Sequence, residues 1–253
     1  MTKIEWATRV WNPITGCTPI SEGCAHCYAK RMASRLRGRY GYDPVQPFVP
    51  TVHIDRFNEP YEWKQPSRVF VVSMGDLFHQ QIQEIYLDMI FAVMHDQPQH
   101  TWIILTKRPH RMAAYFDLHE IPPNTWLGTT IENQQAANDR LPHLLRIGDQ
   151  SFARRWVSVE PMLGMIDITH ALGLSPDCQR LQNSRLSWVV CGAESGPGKR
   201  SCDQRWVRHL KDQCSTAQVP FFYKQSIVDG HKKTMPELDG RVWDEYPEGM
   251  EIK

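Results

Sequence analysis

Three cysteines within eleven residues, Cys17, Cys24 and Cys27, lie in the string WNPITGCTPISEGCAHCYAKRMASRL. Thiolates are soft ligands, and three of them can hold three corners of a metal group while the fourth stays open to chemistry. Several chemistries suit this set. Cys24-Ala-His-Cys27 at the start of a helical pattern fits a thioredoxin-like redox pair, which leaves Cys17 without a task. A structural zinc site needs a fourth ligand, and His26, the nearest imidazole, sits in a short turn between two of the thiols. An iron–sulfur cluster takes three thiolates and leaves one iron free. Unliganded packing is a poor account of three thiols flanked by Thr, Ser, Glu and His. The other four cysteines, Cys178, Cys191, Cys202 and Cys214, are scattered and read mostly as structural.

Elements must bring these residues together. Apolar, β-branched and aromatic runs recur at residues 68–74, 101–106, 125–131, 155–161, 187–192 and 219–224, with 8–11 as a plausible first strand. The six runs start 24 to 33 residues apart, about one strand–helix unit. They are continuously apolar, as expected of parallel strands covered on both faces. Helical periodicity fills residues 25–38 (Ala25, Ala29, Met32, Ala33, Leu36), 82–95 (Ile82, Ile85, Met89, Ile90, Val93) and 203–217 (Trp206, Val207, Leu210). The fold class is therefore α/β, a complete or partial TIM-like (β/α)6-8 barrel with parallel strands. The expected domains are a barrel over residues 1–228, with a Pro-rich insertion at 40–66, and a polar tail at 229–253 packing through Trp243 and Tyr246.

In such a barrel the C-terminal strand ends converge on the active site. They carry Ser73, Gly75 and Asp76, then Thr106, Lys107 and Arg108, then Thr129, Thr130, Glu132 and Asn133. Ser158 and Glu160 follow, then Glu194, Ser195 and Gly196, and last Lys224 and Gln225. Mixed charge there suits a zwitterionic ligand. Glu132, Glu160, Glu194 and Lys224 are the candidate catalytic groups.

Composition narrows the class. The chain has 253 residues, 41% apolar and 23% charged, and a net charge of +1. No global field marks a nucleic-acid or membrane partner, and no apolar run reaches membrane-spanning length. The expectation is a cytoplasmic protein.

A three-cysteine motif after the first strand of a β/α barrel, ending in C-x-x-C followed by Tyr28 and a helix, resembles the radical S-adenosylmethionine superfamily. The segments WNPITGC, SEGCAHCYA, VVSMGDLFH, TKRP, WLGTTIEN, SVEPMLG, VVCGAESGPG, WVRHLKDQC and VPFFYKQ resemble more closely an uncharacterised phage-associated branch, over about residues 5 to 245. The resemblance implies a [4Fe-4S] cluster on Cys17, Cys24 and Cys27 and S-adenosylmethionine as second cofactor. It also implies a 5′-deoxyadenosyl radical and a one-electron donor protein. Met74-Gly75-Asp76 stands where the superfamily has a Gly-Gly-Glu-like stretch for the methionine amine. Lys107 or Arg108 would meet the methionine carboxylate, with Thr129 in the same cofactor set. The cysteine spacing, six then two, differs from the usual three then two.

The stretch KRMASRLRGR (30–39) holds five basic residues and no acidic one, and Arg154-Arg155 and Lys199-Arg200 add basic pairs. They suggest a nucleotide or nucleic-acid substrate, against a solvated helix face as the plain alternative. GAESGPGKR (192–200) is a second candidate phosphate loop, although it lacks the G-x-x-x-x-G-K-[ST] pattern. The competing function is a metal-stabilised (Fe–S or Zn) barrel that binds a partner or nucleic acid without radical chemistry.

Overall fold

The computed structural model describes residues 4–147, 154–174 and 185–250. Cys178 lies outside them. In chain order the elements are β1 (Arg9–Trp11), β2 (Ile14–Thr15), α1 (Tyr28–Arg35), β3 (Thr51–Val52), β4 (Arg68–Val71), α2 (Glu84–Asp96), β5 (Thr101–Thr106), α3 (Pro109–Phe116) and β6 (Thr125–Thr130). They continue with α4 (Gln134–Leu145), β7 (Arg154–Val159), β8 (Trp188–Gly192), α5 (Gln204–Ala217), β9 (Phe221–Val228), β10 (His231–Thr234), β11 (Glu237–Leu238) and β12 (Arg241–Val242). All seven expected strands are present.

The helices differ more. The first is shorter than 25–38, because residues 22–24 form a 3-10 turn and α1 starts only after Cys27. In α2 the buried side chains are Leu87, Ile90, Phe91, Val93 and Met94, while Ile85 and Met89 are exposed. Ile82, Ile90 and Val93 are buried as the periodicity suggests; the run is apolar on most faces, so the pattern places only part of the buried stripe. The sequence reading missed α3 and α4, although their start signals are visible. Pro109 occupies the first turn of α3, and the Asn133 side chain caps α4 by accepting from the Ala136 amide at 2.9 Å.

One eight-stranded sheet runs β1-β4-β5-β6-β7-β8-β9-β10. The pairs from β1 to β9 are parallel, and β10 is antiparallel to β9. Among the described residues β1 and β10 do not pair, so the sheet is open at that seam. Even so, it curls. Trp6, just before β1, packs edge-on to Trp156 of β7 and Trp188 of β8, with ring centroids 5.3 and 6.2 Å apart. Lys232 of β10 reaches Glu5 at 3.7 Å across the seam.

Strand alternation sorts the side chains into two cores. Trp102 and Ile104, Val157 and Val159, and Val189 and Cys191 face the helices. Ile103, Trp126, Trp156, Trp188, Val190 and Phe222 face inward with Trp6 and Phe70. Gly128 on β6 makes room for this inner layer, because a Cβ there would meet the Trp156 ring at 2.4 Å. Gly128→Ala is therefore expected to cost about 1–3 kcal/mol through overpacking, seen as a lower urea midpoint. An unchanged midpoint would show that Trp156 is not held against this strand. No described helix is long and apolar enough to cross a membrane.

Candidate functional site

Above the inner aromatic layer lies a cavity of about 680 Å³ at the C-terminal ends of the parallel strands. Cys17, Cys24 and Cys27 line its wall, and all three thiols are free and half-buried. Backbone contacts hold the cysteine loop. Gly16, at φ +84, has Val49 O where a Cβ would stand, at 2.1 Å, and it bridges to Gly75. The Cys17 amide donates to Phe48 O at 3.1 Å. Gly75 itself packs against Gly16 O, so its small size serves the approach of two loops.

Arg108 fixes the start of the loop. Its Nη1 donates to Asp76 Oδ2 at 2.8 Å and to Cys17 Sγ at 3.3 Å, and its Nη2 donates to Thr18 O and Oγ1, both at 3.1 Å. Asp76 also accepts from Thr106 Oγ1 and from the amides of Phe78 and Lys107. The sequence suggested Asp76 and Arg108 as cofactor contacts; both line the cavity, largely buried and bonded to each other. Burial and the Asp76 charge push the Cys17 thiol up to about 11, with Arg108 partly offsetting them. At Cys24 burial also opposes ionisation, but Lys107 and hydrogen bonds from the Ser21 region outweigh it and lower the pKa.

Each candidate catalytic group has a distinct setting. Glu132 is buried beneath the loop rather than on the cavity wall. It pairs with Arg140 at 2.7 Å and Lys107 at 3.3 Å, and accepts from the Gly23 amide at 3.4 Å. Glu194 binds Arg200 at 2.6 Å and His26 Nδ1 at 2.9 Å, and Arg200 continues to Glu22. This chain ties the segment after β8 to the cysteine loop. Of the four, Glu160, Glu194 and Lys224 line the cavity, and Glu160 and Lys224 form a simple pair there at 3.1 Å, with Ser158 Oγ 3.3 Å from the carboxylate. Gly192 between their strands lets them meet, since a Cβ there would stand 2.7 Å from Glu160 Oε1. Thr129 faces away from the cavity and donates to Thr106 O, while its neighbour Thr130 lines the wall. Of the added basic pairs, Arg154 and Arg155 start β7, at the opposite end from the cavity mouth, and Arg155 is buried.

The sequence reading also missed Asn12, whose Oδ1 accepts from the Met74 amide at 3.0 Å and from Ser73 Oγ at 3.2 Å. Trp6 and Lys232 complete the wall. Among the described residues no group of three His, Cys, Asp or Glu is arranged to hold a single metal ion.

Burial raises the Glu132 carboxyl, but Lys107 and Arg140 overcome this and bring it down to about 2. The resulting stabilisation is present above the ordinary value of 4.5 and is lost as pH falls toward about 2. Urea unfolding across that window should show Glu132→Gln less stable than the parent at neutral pH, with a flatter acid slope. Parallel slopes would mean that Glu132 does not carry the acid sensitivity.

Fold and site together define a mostly parallel, curled α/β sheet with a thiol-lined cavity at its C-terminal strand ends. The chain belongs to the family described as protein of unknown function (DUF5131), whose model matches residues 1–247. No curated protein matches it in sequence. A solved structure, "Spore photoproduct lyase complexed with dinucleoside spore photoproduct", is similar at 14% identity and a TM-score of 0.49. The match covers 91% of this chain and 62% of the length of that one.

Proposed function

We propose that this chain is an iron–sulfur enzyme of the radical S-adenosylmethionine type acting on a nucleotide or nucleic acid. One observation carries the reading: three free thiols in C-x6-C-x2-C spacing open onto one cavity at the ends of parallel strands. The donor set fits the group. Soft thiolates suit iron in a cluster, and a cube spreads its irons apart, so its ligands need not meet at one point. Cys17, Cys24 and Cys27 would hold it, close to the positive charges of Lys107 and Arg108.

When bound, the cluster and S-adenosylmethionine supply one-electron cleavage of a sulfonium carbon–sulfur bond. The chain's residues do the rest. Arg108 and Gly16 fix the Cys17 turn, while Glu132 anchors Lys107 beside Cys24. Trp6, Phe70 and Leu105 give the cavity an apolar floor. Lys224 Nζ, held by Glu160, can donate a hydrogen bond or a proton to a polar substrate atom. A one-electron donor protein is the partner this chemistry requires.

Anaerobic purification tests the proposal. The expected result is a brown protein with about four irons and four sulfides per chain that releases 5′-deoxyadenosine when reduced with S-adenosylmethionine. A colourless protein holding one zinc overturns it. A full cluster without release favours a metal-stabilised barrel that binds its partner without radical chemistry.

A further inference from the structure

One stripe of α1 overlooks the cavity. Tyr28, Arg31, Met32 and Arg35 follow i, i+3, i+4, i+7 spacing and all four line it; Ala29 also touches it but is buried, and Ala33 is buried away from it. Tyr28 and Met32 remain 47% and 41% exposed, the opposite of the core placement that periodicity suggested for Met32. The Arg31 guanidinium lies on the backbone of Gly196 (φ +100), where a Cβ would stand 2.1 Å from Nη1.

The charge balance of this stripe differs from that of the rest of the mouth. Arg108, Arg140 and Arg200 are each bound to a carboxylate. Among the described residues neither the Arg31 nor the Arg35 guanidinium has an ion pair or hydrogen-bond acceptor. Two unengaged planar forks at a cavity edge match the bidentate geometry of phosphate oxygens. An aromatic ring and a thioether on the same stripe offer an apolar surface to a base.

We propose that this stripe is a phosphate subsite. Arg31 and Arg35 grip the phosphates of a nucleotide or of a single polynucleotide strand, and Tyr28 and Met32 carry an adjoining base. This rests on the substrate half of the function proposed above and is independent of the cluster. It also divides the basic run: Lys30 and Arg37 are exposed and do not line the cavity, so they serve as controls for diffuse charge.

The test is anisotropy of a fluorescein-labelled single-stranded oligothymidylate on the full-length protein. Arg31→Ala/Arg35→Ala should weaken binding by about tenfold or more. It should also flatten the slope of log affinity against log salt by about 1.4, the value for two lost phosphate contacts to a single strand. Lys30→Ala/Arg37→Ala should retain the parent slope. Displacement of the probe by thymidine monophosphate identifies a nucleotide as the source of the phosphate; displacement only by unlabelled strand identifies a polynucleotide. Equal losses in the two double variants, or no binding of strand or monophosphate by the parent, overturn the proposal. Iron and 5′-deoxyadenosine are assayed on the same preparations. Failed phosphate binding with a full cluster discards the subsite alone. Strand binding through Arg31 and Arg35 by a parent protein without iron discards the radical reading alone.

Discussion

Replacing Cys24 with alanine is expected to give a colourless, folded protein that releases no 5′-deoxyadenosine. Cys24 ends the 3-10 turn Glu22–Cys24, and its thiol meets Ser21 Oγ at 3.6 Å. The side chain is half-buried and belongs to neither hydrophobic core. Its loss should therefore change the stability of the metal-free protein by no more than about 0.5 kcal/mol. The chemical effect is much larger. Burial disfavours the thiolate here, yet Lys107 and the Ser21 region reverse that preference, so Cys24 is more readily ionised than Cys17 at about 11. Thiolates are the metal-binding form, and two remaining cysteines cannot hold three irons of a cube. Iron should fall from about four per chain to below about one, and release of 5′-deoxyadenosine should fall to the background. Cys191→Ala is the contrast: Cys191 is buried among the helix-facing side chains, and its variant should keep its iron. Full iron and undiminished release in Cys24→Ala would falsify the ligand assignment.

The six strands from β4 to β9 were legible because each is largely buried on both faces, which demands a continuous apolar run. Their polar ends were legible for the same reason, as the first residues that a mouth could use. What each charged residue does there depends on partners that the sequence does not reveal. Asp76 reads as a cofactor contact, and only the structure shows Arg108, 32 residues later, bonded to it. Glu132 reads as a catalytic candidate, and only the structure shows Arg140 and Lys107 paired with it. The choice between Thr129 and Thr130 was open to sequence reasoning. Trp126 and Gly128 set the inward parity of β6, so Thr130 faces the cavity and Thr129 the helices. Strand β10 could not be read this way. Its residues, HKKT, are all exposed and carry no apolar pattern; its position follows from pairing with the edge of β9. Arg31 and Arg35 resembled any solvated basic face until the cavity was seen beside them.

Arg108→Met is expected to destabilise the protein by about 3–5 kcal/mol, the usual cost of stranding one member of a buried ion pair. Arg108 is 3% exposed and Asp76 4%, with 2.8 Å between Nη1 and Oδ2. Methionine keeps an unbranched apolar stem but ends where the guanidinium begins, so the loss is mainly of charge and donors. Asp76 keeps three donors, from Thr106 Oγ1 and the amides of Phe78 and Lys107. Those donors place the cost nearer the lower end of the range, a fall in Tm of roughly 10 °C for a chain of this size. Two variants separate the contributions. Adding Asp76→Asn to Arg108→Met removes the stranded charge and should recover at least half of the lost stability. Arg108→Lys keeps a positive charge beside Asp76 but cannot serve Thr18 and Cys17 with the same fork. It should therefore lose less stability than Arg108→Met while still reducing iron loading. Urea midpoints and iron content across the set decide the matter. If the double variant is no more stable than Arg108→Met, the guanidinium is not neutralising Asp76. If iron loading is unchanged in Arg108→Lys, the hydrogen bonds to Thr18 and Cys17 do not shape the cysteine loop.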